Sequence, residues 1–223
     1  MTQKLLNFQY KESYKKSDFI ISLPNVNAYK AIEHNYSWPY NRLLIIGEKS
    51  SGKTHLAKIW QDKTNAVLIN KYSDLKNVDL HSALILENIE NQSENTILEV
   101  INLANEHSIP LLMTASIYPE IKINDLRSRI NSTHKYFIKK PDLELLKVLL
   151  VKQFSDRQIK IQKDVTEYIV SNMKKSFSTL NDIVELIDKF SQIQKKKITK
   201  PLAKRVLEIL DNFEDDIETR TVS

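Results

Sequence analysis

The chain has 223 residues, 41% hydrophobic and 27% charged, with 33 basic against 28 acidic side chains and a formal net charge of +5. It contains no Cys, and two Gly where about sixteen would stand at average usage of roughly 7%. That excludes a disulfide scaffold, a thiolate metal site, collagen-like repeats and Gly/Ser linkers.

No apolar run approaches the ~18 residues of a membrane helix, and no signal-peptide pattern opens the chain, so a cytoplasmic protein is expected. Six of the 33 basic residues are Arg (Arg42, Arg127, Arg129, Arg157, Arg205 and Arg220), which leaves 27 Lys. The abundance of Lys, Ile and Asn reads as coding bias. Lys clusters, Lys195-Lys196-Lys197 included, therefore read as solvated helix ends rather than nucleic-acid contacts.

Residues 1–16 are polar and Lys/Tyr-rich, the composition of a mobile tail. A helix is expected over Val26–His34, then a turn at Trp38-Pro39-Tyr40-Asn41 and a buried strand over Arg42–Ile46. Helix Lys53–Asp62, strand Ala66–Ile69, strand Ala83–Leu86, helix Thr96–His107, strand Ile109–Thr114, a helical stretch at Asp125–Ile130 and strand Tyr136–Ile138 follow. Strands alternating with helices predict an α/β fold with a parallel five-stranded sheet, covering residues 17–140.

From Pro141 the period becomes helical, with Leu143, Leu146, Leu149, Leu150 and Phe154 on one face of Asp142–Gln158. Three further amphipathic segments, Val165–Lys174, Thr179–Gln194 and Lys200–Asp211, predict a small all-α unit over 141–212. Asp142 suits its first N-terminus. The acid-rich residues 213–223 are expected to fray.

The two glycines lie in one string, Gly47-Glu48-Lys49-Ser50-Ser51-Gly52-Lys53-Thr54, after a buried strand and before a helix. This is the G-x-x-x-x-G-K-[ST] phosphate loop, which arises by chance roughly once in a hundred chains of this length at average residue frequencies. Glycines let backbone N–H groups curl around phosphate oxygens, and the helix N-terminus adds its positive end. Lys53 is expected on the β- and γ-phosphates, and the Thr54 hydroxyl on Mg²⁺.

The apolar run of the third strand ends in Glu87-Asn88-Ile89-Glu90. Glu87 is positioned to hold Mg²⁺ through water. Asn88 stands where an acid would polarise an attacking water, and an amide accepts no proton at neutral pH. Binding of ADP or ATP with Mg²⁺ is expected, with weak or absent hydrolysis by the chain itself. The five His (His34, His55, His81, His107 and His134) lack metal-ligand spacing. Trp38 and Tyr40 are candidates to shelter an adenine, with core packing as the alternative.

Several strings resemble the AAA+ ATPases of the DnaA family, and within it the group of short Hda paralogues. They are Asn41-Arg42-Leu43-Leu44-Ile45-Ile46-Gly47 running into Gly52-Lys53-Thr54-His55-Leu56, then Leu86-Glu87-Asn88-Ile89-Glu90, Pro110-Leu111-Leu112-Met113-Thr114 and Asp125-Leu126-Arg127-Ser128-Arg129-Ile130. The resemblance spans about residues 17–210 and implies a P-loop AAA+ module followed by a helical lid. It puts Arg129 on the arginine finger, the cation one subunit inserts beside a phosphate held by its neighbour, with Arg127 a candidate to assist. It also puts the polar sensor at Ser116, with Thr114 the alternative, and Ser178 where the lid of the family carries an Arg.

Gln3-Lys4-Leu5-Leu6-Asn7-Phe8 resembles the Q-x-x-L-x-F peptide that docks replication proteins on the DNA polymerase sliding clamp. Leu6 and Phe8 would fill an apolar pocket while the Gln3 amide bonds at its rim. The resemblance thus implies a negative regulator of replication initiation, with DnaA and the clamp as partners and DNA reached only through the clamp. A homo-oligomer is left open. A self-sufficient ATPase such as a helicase loader, and an adaptor with a vestigial site, are the alternatives. No DNA-reading helix-turn-helix is expected after Leu210.

Overall fold

A computed structural model describes residues 13–33, 38–77, 81–194 and 198–221. Its sheet has five parallel strands: β1 (Arg42–Ile46), β2 (Val67–Ile69), β3 (Leu84–Leu86), β4 (Leu111–Ala115) and β5 (His134–Phe137). They are ordered β2-β3-β4-β1-β5. Crossover helices connect them: α2 (Lys53–Thr64), α3 (Glu94–Glu106) and α4 (Asn124–Ser132), with α1 (Val26–Glu33) before the sheet. The parallel sheet expected from the alternation is present.

All five residues of β1 are buried, as are those of β4, because helices cover both faces. Alternate side chains divide between two cores. Leu43 and Ile45 join Trp38, Leu56 and Trp60 on one face, where the two indole rings lie 5.4 Å apart. Leu44 and Ile46 join Ile97, Val100, Leu126 and Ile130 on the other.

Four helices form the lid: α5 (Leu143–Asp156), α6 (Lys163–Asn172), α7 (Phe177–Gln194) and α8 (Lys200–Thr221). They share a third core around Leu146, Leu150, Phe154, Ile169, Ile183 and Val206. Leu145 and Phe177 leave it to join the first core, which seats the lid on the α/β layer. The Asp142 carboxylate caps α5, accepting from the Leu145 amide at 2.8 Å.

Boundaries differ from expectation in places. Strand β5 begins at His134 rather than Tyr136, because pairing with Leu43 captures it two residues early. Helix α3 starts at Glu94, where Ser93 caps it by accepting from the Thr96 amide. Helix α8 continues to Thr221, so residues 213–221 extend a helix instead of fraying. Ser13 to Lys16, expected in a mobile tail, are ordered against α2. The Tyr14 ring meets the His55 ring edge-on at 5.5 Å, and the Lys15 carbonyl lies 2.9 Å from His55 Nε2.

Candidate functional site

The register brings the C-terminal ends of the strands to one edge of the sheet. Ile46 pairs with Ala115 and with Phe137, and Leu86 pairs with Met113. Gly47, Glu87 and Ser116 therefore leave their strands side by side, where parallel α/β sheets bind ligands.

Each glycine is required by the loop. A Cβ on Gly47 would fall 2.7 Å from Ser51 Oγ and 2.9 Å from Ile138 Cβ, so the loop could not fold back over β5. Gly52 has φ 93°, a conformation that costs other residues strain, and it precedes α2 directly. With no side chain to cap α2, the first-turn amides of the helix are left to an anion.

Lys53, the first residue of α2, is 6% exposed and donates to the carbonyls of Gly47 at 2.7 Å and Glu48 at 3.0 Å. Burial holds its ammonium below the ordinary lysine range, opposed by the carboxylates of Glu90, Glu87 and Glu48. Ser51 is buried with an unbonded hydroxyl.

Behind the loop, one carboxylate oxygen of Glu87 and one of Glu90 are buried without a hydrogen-bond donor. The other Glu90 oxygen accepts from the Ser116 amide at 2.9 Å. Asn88, at φ 52°, donates its amide to Thr114 Oγ1 at 3.1 Å, which ties the end of β3 to β4. Thr114 is wholly buried, and it is Ser116 and Asn88 that border the open cleft. These features fit a nucleotide with a divalent cation: a Gly cradle, an inward lysine and a buried oxygen of Glu87 lacking a partner.

The cleft holds about 570 Å³ and is walled by three regions. Lys49 to Thr54 form its floor, α5 and α7 its lid side, and Ser13, Tyr14, Asp18 and Phe19 the third side. Phe19 stacks on Tyr29 and meets His55 edge-on at 5.2 Å. The aromatic side chains at the cleft are thus Tyr14, Phe19 and Phe177, with the His55 ring beside them. Trp38 and Tyr40, candidate adenine shields, are elsewhere: Trp38 is buried on Trp60, and Tyr40 stands at the start of β1. No local pattern marks Tyr14 or Phe19, because the His55 ring that both meet lies some forty residues away in α2.

The lid contributes in two ways. The Glu48 carboxylate accepts from the Phe177 amide at 2.9 Å, joining the loop to the first residue of α7. Lys152 of α5 and Arg157 at the C-terminal cap of that helix border the cleft, Lys152 paired with Asp156 and Arg157 with Asp188. Ser178 is held by Ser176, whose hydroxyl accepts from its amide at 3.1 Å.

The two candidate arginines of α4 part company. The Arg127 guanidinium turns back onto the carbonyl of Ile121, Nε at 3.0 Å, and bonds Asn124, so it braces the start of its own helix. Arg129 rests on Asp125, its Nε 3.0 Å from both carboxylate oxygens. It borders a second pocket with Arg42, the first residue of β1. The phosphate loop follows Ile46, the last residue of that strand, so Arg129 and the loop sit at opposite ends of a strand ~16 Å long at ~3.3 Å per residue. Gln3, Leu6 and Phe8 lie outside the described residues.

Among the described residues, no helix is long and apolar enough to cross a membrane, and no cluster of three or more His, Cys, Asp or Glu has metal-binding geometry.

Comparison with known proteins agrees with this fold. Residues 144–207 match the family model "Hda, lid domain". The chain is 21% identical to the chromosomal replication initiator protein DnaA of Leifsonia xyli over 91% of its length, and spans half of that protein. Domain III of the Thermotoga maritima replication initiation protein DnaA superposes with a TM-score of 0.70 at 15% identity, covering 87% of this chain and 95% of that one. AMPPCP-bound DnaA from Aquifex aeolicus does so with a TM-score of 0.66 at 15% identity, covering 93% and 71%.

Proposed function

From a chain that is a DnaA-like AAA+ protein close to Hda, we propose a negative regulator of replication initiation that acts on DnaA. It binds ADP or ATP in the loop from Gly47 to Thr54 and offers Arg129 to ATP held by its DnaA partner. The observation that carries this reading is the separation of Arg129 from its own phosphate loop by the length of β1. A cation placed there is out of reach of the nucleotide in its own loop and is available to a neighbouring molecule. Such fingers neutralise charge on the transferring phosphoryl oxygens and are worth roughly 10³–10⁵ in rate.

In its own site, Lys53 would hold the phosphates and Thr54 and Glu87 the Mg²⁺, which screens phosphate charge when bound. Asn88 supplies no base, so the bound nucleotide serves to order the loop against the lid. Docking on the sliding clamp through Gln3, Leu6 and Phe8 belongs to the same proposal, as does a division into a tail (1–16), an AAA+ unit (17–140), a lid (141–212) and an acidic end (213–223). The test is hydrolysis of DnaA-bound ATP in the presence of clamp and this protein. Arg129→Ala should remove the stimulation; undiminished stimulation overturns the finger, and clamp binding that survives Leu6→Ala with Phe8→Ala overturns the docking peptide.

One observation favours the reading of a self-sufficient ATPase. Glu90 is the carboxylate that most opposes the effect of burial on Lys53, and one of its oxygens is unbonded. That reading requires turnover by the purified protein that Glu90→Gln abolishes.

A further inference from the structure

Three residues other than glycine hold left-handed backbone around a single pocket. Tyr40 (φ 55°), Asn41 (φ 54°) and Ser108 (φ 54°) border a space of about 440 Å³ together with Arg42, Asn105 and Arg129. Ser108 takes the left-handed turn that ends α3, where the Ile109 amide donates to the Ala104 carbonyl at 2.8 Å. Tyr40 and Asn41 hold theirs consecutively, and for a bulky residue such as Tyr40 that conformation persists only where the surroundings impose it. The Asn41 side chain donates to the Ser108 carbonyl at 3.3 Å, which locks two of them together.

Arg42 is 3% exposed, yet among the described residues no carboxylate pairs with it. Its Nη1 donates to the Asn105 side-chain oxygen at 2.9 Å and its Nη2 to the Ser132 hydroxyl at 3.4 Å, both neutral acceptors. Its Nε is buried with no acceptor. Two of the five guanidinium N–H groups are used, and three remain. Burial and the positive charge of Arg129 both act against the Arg42 charge. The exposed Tyr40 ring covers the guanidinium, 5.3 Å from ring centre to Cζ.

For packing alone this is a poor choice, since a buried cation without a counter-ion is less favourable than an apolar residue of equal volume. Two guanidinium groups side by side, one buried and rigid and the other at the pocket mouth, make a receptor for a tetrahedral oxyanion. Arg129 is free to turn toward it, because an i,i+4 pair with a half-exposed Asp125 holds it weakly.

We propose that this pocket is an oxyanion site for a phosphate group, with Arg42 as its fixed cation and Arg129 as its movable one. The proposal rests on Arg129 acting in trans and names the second group that would meet the same phosphate. The phosphate comes either from the terminal position of a nucleotide held by a second P-loop protein, or from free phosphate in solution. Tyr40 shields Arg42 until the anion arrives.

Hydrolysis of DnaA-bound ATP is measured with Arg42→Lys, which keeps the charge and loses the fork, beside Arg129→Ala. Arg42→Lys should lower kcat at least tenfold while KM for the DnaA–ATP complex stays within twofold and the Tm of the protein is unchanged, since loss of folded protein would by itself lower the apparent kcat. Loss with Arg129→Ala but an unchanged kcat with Arg42→Lys overturns this proposal and leaves the finger standing. If Arg129→Ala changes nothing, the finger reading fails and the second arm decides: inorganic phosphate titrated into the Lys53→Ala protein, with and without Arg42→Lys. Saturable binding that Arg42→Lys weakens assigns the pocket to free phosphate, and no such binding overturns it. If Arg42→Lys does not fold, Tyr40→Ala at its exposed position takes its place in both arms: a several-fold change in kcat or phosphate affinity supports the site, and none overturns it.

Discussion

The carboxylate of Glu48 accepts a hydrogen bond from the backbone amide of Phe177 at 2.9 Å, across 129 residues of sequence. The second residue of the phosphate loop thereby holds the first residue of lid helix α7, at a helix end that favours negative charge. Glu48→Gln should weaken this joint by about 1 kcal/mol. Amide hydrogen exchange at 177–180 would then quicken with the rest of α7 unchanged. Unaltered protection there would mean that the apolar contacts of Phe177 hold the lid alone.

Nucleotide binding should be visible as stabilisation. A ligand at 100 times its Kd adds about 2.7 kcal/mol, which appears as a rise in Tm with ADP or ATP. Lys53→Ala should abolish that rise. A shift that survives the substitution would place the nucleotide elsewhere, and no shift in the unmodified protein would favour a vestigial site.

The two loop glycines should fail differently when changed to alanine. Gly47→Ala forces a methyl into Ile138 and Ser51 and should destabilise by about 1–3 kcal/mol through overpacking. Gly52→Ala meets the Phe19 ring at 3.1 Å and takes a left-handed conformation, costing about 1–2 kcal/mol. Because Gly52 precedes the anion-binding turn of α2, its loss should also weaken nucleotide affinity more per unit of stability lost. Denaturant unfolding with and without ADP separates the two effects.

Glu94 connects acidity to the arginine-bearing helix. Its carboxylate accepts the amides of Lys122 at 2.8 Å and Ile123 at 2.7 Å, just ahead of α4, and these bonds hold it below the ordinary carboxylate range. A depressed folded-state value stabilises above the unfolded value and is lost as pH falls through the folded one. Stability should therefore drop on acidification below about pH 4.5. Glu94→Gln should flatten that limb while leaving the slope near neutrality unchanged. A limb of identical steepness in both proteins would assign acid sensitivity to other carboxylates.

Much of the α/β layer is legible locally. The apolar run Arg42–Ile46 ends in Gly47, and a glycine five residues later opens a helix, so strand, loop and helix follow from adjacent residues. Asp142 is a helix cap that composition alone suggests. What is not legible depends on partners far away in the chain. Arg42 reads as a polar strand start, and its burial is decided by Asn105 and Ser132, 63 and 90 residues on. Ser13 to Lys16 read as a tail because their pattern is polar, and only the contacts with His55 show that this segment walls the cleft. Arg127 and Arg129 look equivalent on a helix, yet one faces a carbonyl of its own loop and the other a pocket mouth.

The placement of Arg129 and the phosphate loop at opposite ends of β1 gives the molecule a polarity. Two copies facing each other across a twofold axis would satisfy neither end, since an isologous contact presents the same pole twice. On the proposed role of Arg129, complementary contact runs head to tail, with the arginine pole of one molecule against the nucleotide pole of the next. Stacks of that kind have no built-in stopping point. A neighbour that offers only a matching nucleotide pole would end such a stack at its first step.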